Sequence, residues 1–436
     1  MALDFADLGE QSVKNIERPV HVFGWPKTAK GSSGSQNVQP ATSGRPSIAV
    51  LPFDNMSGQS NQEAFVDGLT EDIITALSRV RWYDVKARNS TFAHKGSSPD
   101  VRQVGKNLDA GYILEGSVRT GGQSVRITAQ LIETESGNHV WADRFDRALD
   151  DEFAVQDEIA QRVSSILGER VWQDIAKHIG QKQEKDYTAY DYAYSAIGML
   201  HRLEPDEVAI ARERFLTALE LDPDVYTCHL GLGFCHLVEA LYLGDFSGAA
   251  IDQAHEHALK LLEVAPEDAQ THRLLSRTYW AKDMRAESWQ SVQRALRLNP
   301  NDGDIIANRG VYHLFVGEFD EAHLWIDKVL ELHDETPHTV DIMHHWKSMA
   351  SFGSEDYRGA LAQLGQISGL RFLKALFQAI AYARLEDLAQ ARAGIATVLE
   401  MRPNLRLSNL GFWQSFRRES DRKHFRDALL NAGLPE

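Results

Sequence analysis

The chain of 436 residues carries 46 lysine and arginine residues against 62 aspartate and glutamate residues, a formal net charge of −16, and is 43% hydrophobic. This length allows two to four domains, each with a core of its own. The negative balance argues against nucleic-acid binding, because neutralising phosphates needs a surplus of basic side chains on one face. With only two cysteines, the fold has no disulfide framework or cysteine-rich zinc module to hold it together.

The amino-terminal segment shows no targeting pattern. Its first 25 residues carry acidic side chains early and lack the apolar core that a signal peptide requires. No uninterrupted apolar run reaches the length of about 18 residues that a membrane-spanning helix needs. We therefore expect a soluble, cytoplasmic protein without membrane insertion.

A low-complexity stretch follows this segment. Glycine, serine and proline make up half of the positions from Pro26 to Ser47. Such a composition buries too little apolar surface to order itself. We expect a flexible linker over residues 26–45, with the first large domain after it.

A mixed pattern of strands and helices covers residues 46–175. Ser47–Phe53 is a short apolar run typical of a buried strand, and Glu63–Val80 places apolar residues at helical spacing. Two glycines in Thr120–Gln123 predict a tight hairpin turn, because glycine tolerates positive φ. The other predicted elements are a strand at Tyr83–Ala87, a helix at Pro99–Leu108 and strands at Tyr112–Arg119, Ser124–Thr134 and His139–Phe145. Together they predict a small α+β domain with a meander on one side.

After Asp150 the strand patterns stop. A short sequence motif then recurs, as ALELDPD, LLEVAPED, ALRLNPND and VLEMRPN. The prolines of these phrases are separated by 43, 34 and 103 residues, and the last interval is about three times 34. A period of 34 is the tetratricopeptide spacing, a helix–turn–helix unit in which small residues let neighbouring helices pack closely. We expect an all-α solenoid of about six repeats over residues 188–407.

Individual positions test the phase of this repeat. With Pro300 at position 32, the next unit places Gly310 at position 8 and Ala322 and Ile326 at positions 20 and 24, where small or apolar residues suit. The unit that ends at Pro266 holds nine extra residues, which we assign to a longer turn around Leu243–Gly248. Residues 408–436 predict a helix with a basic outer face, which suits a polar cap on the solenoid.

Four stretches between Arg45 and Asp146 carry a family resemblance: PSIAVLPFDNMSG, FVDGLTEDIITALSRVRW, YILEGSVR and RITAQLIETESGNHVWADRFD. Together they resemble the TolB amino-terminal-like domain that precedes tetratricopeptide repeats in many bacterial signalling proteins. In that family the combination is often joined to a class III adenylate or guanylate cyclase domain. Residues 1–25, with LDFADLGEQSVKNIERPVHVF, resemble the last strand–turn–strand of such a cyclase domain.

The resemblance implies a cyclase whose catalytic residues lie outside the part matched here. Forming a cyclic nucleotide needs two carboxylates for paired metal ions, groups that read the base, and a polar or cationic residue at the transferring phosphorus. The resemblance places these residues upstream of the matched piece, so no residue here is assigned as catalytic, cofactor-binding or metal-binding. We expect no cyclase activity and no cofactor from this chain alone. Met1 is then either the native start or an internal start of a longer cyclase.

Cysteine and histidine patterns have an ordinary structural explanation. Cys228-His229 and Cys235-His236 suggest a metal motif, but residues seven apart on a helix are separated by about 10.5 Å along its axis. That distance is too large for one zinc ion or for a disulfide. His255, His257, His338, His344 and His345 show no HExxH-like arrangement, so we expect solvated or interfacial histidines.

The leading hypothesis is a non-catalytic regulatory protein of bacterial signalling, which binds a peptide or helix of a protein partner in its solenoid groove. The candidate partner-binding residues are His272, Asn308 and Tyr312, on first helices of the repeats. The alternative is the regulatory carboxyl-terminal half of an adenylate cyclase. A transcription regulator would need a DNA-binding helix-turn-helix, which residues 1–44 do not supply. The sequence pattern gives no indication of the oligomeric state.

Overall fold

The computed structural model describes residues 6–11, 20–24, 44–58, 62–97, 100–149, 151–243, 248–332 and 337–436. In the first unit, residues 1–43, strands β1 (Ala6–Gln11) and β2 (Val20–Gly24) pair antiparallel. Two strands were expected in residues 1–25. The predicted linker lies outside the described residues as far as residue 43.

The second unit, Gly44–Glu436, begins with a mixed sheet. Its order is β5-β3-β6-β7-β8, with β4 also paired to β6; β3 runs parallel to β5 and β6, whereas β6, β7 and β8 form an antiparallel meander. The strands are β3 (Ser47–Val50), β4 (Asp54–Asn55), β5 (Asp84–Val85), β6 (Tyr112–Gly121), β7 (Ser124–Glu133) and β8 (His139–Ala148). The predicted meander and its hairpin are confirmed.

Helices cover both faces of the parallel part of this sheet. The helices of this region are α1 (Glu63–Ser78), α2 (Arg88–Phe92), α3 (Val101–Leu108) and α4 (Glu152–Ile179). Ile48 and Val50 of β3 pack in one core with α1 and α4, whereas Ala49 packs in another with Val104 of α3. Burial on both faces explains why the sequence of β3 is continuously apolar.

Two predicted strands are shorter in the structure. The strand predicted over Ser47–Phe53 ends at Val50, because Pro52 has no N–H to donate to the sheet. The strand predicted over Tyr83–Ala87 is reduced to Asp84–Val85, and the chain then enters α2. A helix of five residues is too short to show a helical period, so the sequence did not reveal it.

Among the described residues, twelve helices from Ala189 to Met401 form six consecutive pairs that pack against each other. They are α5 (Ala189–Arg202) and α6 (Pro205–Leu221), α7 (Tyr226–Tyr242) and α8 (Gly248–Val264), α9 (Ala269–Ala281) and α10 (Arg285–Leu298), α11 (Gly303–Val316) and α12 (Phe319–Leu332), α13 (Pro337–Gly353) and α14 (Tyr357–Gln366), and α15 (Arg371–Arg384) and α16 (Leu388–Met401). The architecture is thus a small α+β domain followed by an all-α tetratricopeptide solenoid, as predicted. Most of the long turn predicted around Leu243–Gly248, residues 244–247, lies outside the described residues.

Packing between α11 and α12 confirms the predicted phase. A Cβ atom placed on Gly310 would lie 3.0 Å from Cγ1 of Ile326 and 3.3 Å from the carbonyl oxygen of Ala322. Both Ala322 and Ile326 are fully buried. The residues at positions 8, 20 and 24 therefore meet where the two helices cross, and a side chain at position 8 would hold the helices apart.

The first helix of each pair packs against the first helix of the next. These contacts link α5, α7, α9, α11, α13 and α15 in order. The first helices therefore form a continuous inner layer, whose surface is a groove along the solenoid.

The carboxyl-terminal segment returns along this inner layer. After α16 the chain forms short 3-10 helices at Leu407–Asn409 and Phe412–Ser415, then α17 (Glu419–Ala432), which packs on α15. The Gly411 amide donates to the carbonyl oxygen of Leu241 at 3.1 Å, and the Arg417 amide donates to that of Phe315 at 2.8 Å. The segment over residues 408–436 thus contacts the ends of α7 and α11 as well as the last pair.

Helix α4 joins the α+β domain to the solenoid. Its 28 residues extend over about 42 Å. Val155 and Val163 pack in the sheet core, whereas Ile179 packs in the core of the solenoid. In the parts of the chain that the structure describes, no helix combines the length and apolarity needed to cross a bilayer.

A candidate binding groove in the helical solenoid

Side chains from all six first helices line one cavity of about 150 Å³ in the groove. They include Leu200 and His201 of α5, Phe234, Val238 and Tyr242 of α7, Arg273 and Arg277 of α9, Asp304, Asn308 and Val311 of α11, Ile342, His345 and Trp346 of α13, and Leu373 of α15. We call this space the groove cavity. Because it draws on every pair, it exists only when the whole solenoid is folded.

The rim and the floor of the groove cavity differ in exposure. At the rim, Asp304 is exposed and Phe234 and Arg273 are half-buried. On the floor, Tyr242 is 4% exposed and His345 is 0% exposed. The cavity therefore reaches solvent at its rim and ends in buried side chains.

Arg273 is fixed at the rim by three contacts. Its guanidinium forms an ion pair with Asp304 at 2.9 Å, donates to Oε1 of Gln270 at 3.0 Å and lies 4.5 Å from the ring centroid of Phe234. A charge held between a carboxylate and an aromatic face is compensated. Arg273 therefore shapes the rim and has little charge to offer a ligand.

Arg277 lies one turn further along α9, on the same helix face as Arg273. Its guanidinium carbon lies 5.2 Å from the ring centroid of Trp346. Among the described residues, it makes no ion pair or hydrogen bond. Burial lowers the pKa of Arg277 to about 10, so it remains cationic at neutral pH. Arg277 is half-buried, and the charge of Asp304 at the rim acts on it. Its side chain thus has an aromatic neighbour and, among the described residues, no hydrogen-bonded carboxylate.

His345 lies deepest, inside an aromatic cluster. Its ring centroid lies 4.8 Å from that of Phe377, 4.9 Å from that of Trp346 and 6.0 Å from that of Tyr242. Burial lowers the pKa of His345 to about 3, so the ring is neutral at neutral pH. Within the described chain, neither of its ring nitrogens nor the Tyr242 hydroxyl has a hydrogen-bond partner.

The three residues predicted to bind a partner occupy different places. Asn308 lines the groove cavity, but it is 4% exposed and its Nδ2 donates to Oγ of Ser276 at 2.8 Å. Tyr312 lies beside Trp280 and lines a smaller neighbouring cavity of about 20 Å³. His272 is outside both, with Nε2 lying 2.8 Å from the carbonyl oxygen of Pro266. Partner binding by these residues stays a prediction.

Sequence reasoning missed the polar residues of the floor. The spacing of Arg273 and Arg277, four apart on a first helix, is the one signal that could have suggested them. His345 was expected to be solvated or interfacial, yet it is fully buried. Tyr242 lies at the end of an apolar helix, where nothing in the local pattern distinguishes it from a core residue.

The two cysteines and one group of side chains of metal-ligand type do not line the groove cavity. Cys228 and Cys235 are free, buried thiols. Among the described residues, Glu133, Asp174 and His178 could together reach a metal ion. The Tyr112 hydroxyl donates to Asp174 at 2.9 Å, and His178 Nε2 lies 3.3 Å from Glu133 Oε1. These contacts equally describe a hydrogen-bonded cluster that ties β7 to α4, so we assign no metal there.

Known proteins resemble both parts of the chain. Residues 43–162 match the model of the second domain of HilA/YgeH-like transcriptional regulators. Over 280 residues, the chain is 38% identical to the protein named "Putative adenylate cyclase 3" of Rhizobium meliloti (strain 1021), covering 63% of this chain and 47% of that protein. The chain therefore spans about half the length of this curated relative.

Solved structures show more distant similarity. TolB from Acinetobacter baumannii is 14% identical, with 29% of this chain and 28% of that chain covered and a TM-score of 0.22. A thermophilic tetratricopeptide protein of Thermus thermophilus is 18% identical, with 44% of this chain and 92% of that chain covered and a TM-score of 0.31.

Proposed function

We propose that this chain is the regulatory, protein-binding part of an adenylate-cyclase-type signalling protein, and that its groove receives a segment of a protein partner. The observation that carries the proposal is the convergence of all six first helices on the groove cavity. Stacked helix pairs use such inner surfaces to hold extended peptides or helices. A groove whose rim combines apolar side chains with the ion pair of Arg273 and Asp304 suits that role.

The signalling context is supported by the similarity to the Rhizobium meliloti relative, 38% identical over 280 residues. The resemblance of residues 46–175 to the TolB-like domain that accompanies such repeats points the same way. Cyclic nucleotide formation itself needs paired metal-binding carboxylates and base-reading groups, and the sequence suggests no such set here. In this proposal the chain contributes binding and regulation, not catalysis.

Site-specific crosslinking tests the partner-binding role. A photoreactive phenylalanine analogue replaces Val238, half-buried at the rim of the groove cavity, in the full chain expressed in its source cells. The matched control replaces Leu324 on α12, which is 63% exposed. We expect one protein partner to be crosslinked at position 238 and not at position 324. Equal crosslinking at both positions, or none at position 238, would contradict the proposal.

A nucleotide assay tests the non-catalytic role. Purified chain is incubated with ATP and Mg²⁺ or Mn²⁺, and cyclic AMP is measured. We expect no product above the buffer control. Turnover that rises in proportion to protein concentration would show that the chain is itself a cyclase.

Transcriptional regulation is a second candidate, favoured by the match of residues 43–162 to a domain of transcriptional regulators. In that case the chain would regulate DNA binding. A mobility-shift assay with DNA fragments from the source genome separates the two functions. The net charge of −16 predicts no shift at physiological salt, and a sequence-specific shift would favour the second candidate.

A further inference from the structure

Strand β8 lies at one end of the mixed sheet. Among the described residues it pairs antiparallel with β7, and its other edge pairs with no strand. The strand has ten residues, and alternate residues direct their backbone N–H and C=O groups away from the sheet. An open edge of this length is a template for another strand, so native proteins usually protect it with a bulge, proline, lysine or charge.

Most of β8 lacks such protection. An irregularity in the pairing with β7 falls at Val140, near the start of the strand. From Ala142 to Ala148 the register with β7 is continuous, and this segment contains no proline or lysine. Charges of one sign would still protect the edge, because like charges directly opposite each other destabilise a strand pair. The four charged residues of the segment, however, are two aspartates and two arginines.

These charges are arranged symmetrically about Phe145. The segment Ala142–Ala148 reads ADRFDRA. When two copies of it run antiparallel with Phe145 opposite Phe145, Arg144 of each copy lies opposite Asp146 of the other. The same register pairs Asp143 with Arg147 and Ala142 with Ala148. All four charge pairs between the copies are therefore attractive.

The two faces of the strand agree with this register. Phe145 is buried in the core beneath α4. Arg144 and Asp146 point to the opposite face, where their side chains are 61% and 49% exposed. Directly opposite residues of an antiparallel pair point to the same face. The pairing therefore leaves both α4 helices on one side of the joined sheet and the exposed charge pairs on the other.

On the exposed face, the charges already form a network that a second copy can extend. Nε of Arg126 donates to Asp146 at 2.7 Å, and Nε of Arg144 lies 3.4 Å from the same carboxylate. A guanidinium has five donors, and a carboxylate has about four acceptor sites. Arg144 and Asp146 can therefore each take a further partner.

On the covered face, one charge has no ionic partner. Arg147 donates to Glu158 of α4 at 2.6 Å. Asp143 accepts from the backbone amide of Arg144 at 2.7 Å, but it forms no ion pair in the part of the chain that the structure describes. Arg147 of a second copy would supply that partner.

We propose that two copies of this chain pair through the edges of their β8 strands, antiparallel about Phe145, and so join their sheets into one. The contact is isologous, because each copy contributes the same segment. It consists of backbone hydrogen bonds and exposed charge pairs, so we expect a dissociation constant in the micromolar range that rises with salt. The groove of the solenoid takes no part in it.

Charge reversal tests the pairing in the full chain. Sedimentation equilibrium measures the dissociation constant of the dimer. Arg144→Asp leaves two like charges opposite each other in a homodimer, and so does Asp146→Arg, so each should weaken dimerisation by about 10-fold or more. An equal mixture of the two variants restores every attractive pair and should associate with nearly the affinity of the parent chain. The control, Arg119→Asp on the interior strand β6 of the same sheet, should dimerise like the parent.

Cysteine crosslinking tests the register. Ala142 and Ala148 are exposed. In the proposed pair they face each other across the two copies, within the Cα separation that a disulfide spans. Within one chain, six residues of strand hold them about 20 Å apart. Mild oxidation should therefore give a covalent dimer of the double variant Ala142→Cys/Ala148→Cys and not of either single variant, since the native cysteines are buried.

Four outcomes would overturn the inference. They are a chain that stays monomeric at high micromolar concentration, a dimer that neither charge reversal weakens, a variant mixture that recovers no affinity, and covalent dimers of the single cysteine variants. Circular dichroism melting verifies folding, and the cysteine variants test the same register if a charge reversal unfolds the chain. None of these outcomes affects the proposed binding of a partner in the groove.

Discussion

The indole Nε1–H of Trp280 donates a hydrogen bond of 2.9 Å to the backbone carbonyl oxygen of Ser415, 135 residues further along the chain. Trp280 is at the end of α9, and Ser415 belongs to the segment that returns along the inner layer of the solenoid. Both residues are buried. The bond therefore ties the carboxyl-terminal segment to the middle of the solenoid, not only to its last pair.

Replacing Trp280 by phenylalanine should destabilise the fold. The change leaves the carbonyl oxygen of Ser415 buried without its donor, which costs about 1–3 kcal/mol in the free energy of unfolding. The control is Trp413→Phe, because Trp413 is half-buried and its indole donates to Leu407 at a longer 3.3 Å. Urea unfolding should show a clearly smaller loss for the control. Equal losses would mean that the bond to Ser415 adds nothing specific.

His345 should make stability depend on pH. Burial lowers its pKa to about 3 in the folded chain, whereas an unfolded histidine titrates near 6.5. Well above pH 6.5 both states are neutral, and the residue adds no pH dependence. As pH falls from 6.5 towards 3, the unfolded state binds a proton that the folded state does not, so the free energy of unfolding falls by about 1.4 kcal/mol per pH unit.

The variant His345→Phe removes this contribution while keeping an aromatic ring beside Tyr242, Trp346 and Phe377. Between pH 6.5 and pH 5, the variant should lose about 2 kcal/mol less stability than the parent chain in urea unfolding. His257, whose pKa burial lowers to about 4, keeps its own acid sensitivity in both proteins. Identical pH profiles would show that His345 is not buried as a neutral ring.

Two helical glycines should respond to alanine in opposite ways. A Cβ on Gly231 in α7 would lie 2.1 Å from the ring of Phe215, which is fully buried, so Gly231→Ala should cost about 1–3 kcal/mol by overpacking. A Cβ on Gly365 in α14 would meet nothing within 4 Å. Gly365→Ala should therefore stabilise by up to about 1 kcal/mol through helix propensity. Thermal unfolding that shows the same sign for both would contradict this packing.

The two cysteines should be unreactive in the folded chain. Both are fully buried, and burial raises the pKa of the Cys228 thiol to about 12 and that of Cys235 further. Because the thiolate is the reactive form, a disulfide reagent at neutral pH should modify neither residue in buffer and both in urea. Rapid modification in buffer would show that α7 opens more easily than its packing indicates.

Much of the fold followed from local patterns. The period of 34 residues predicted the solenoid, because each unit repeats the same small residues where its two helices cross, as Gly310 and Ala322 do. The hairpin at Thr120–Gln123 was equally predictable from the sequence, since the need for glycine at a tight turn is local. The end of β3 before Pro52 could also have been predicted from the sequence, because proline removes a backbone donor.

The groove cavity was decided by tertiary structure alone. Tyr242, Arg277 and His345 come from three different repeats, and each looks ordinary in its own helix. No repeat position distinguishes them, because a cavity depends on how much each pair is rotated relative to the next, and the packing of all six pairs together sets that rotation. The sequence by itself determined the repeating unit and the α+β domain before it. Only the stacked structure brought Tyr242, Arg277 and His345 to the lining of one cavity.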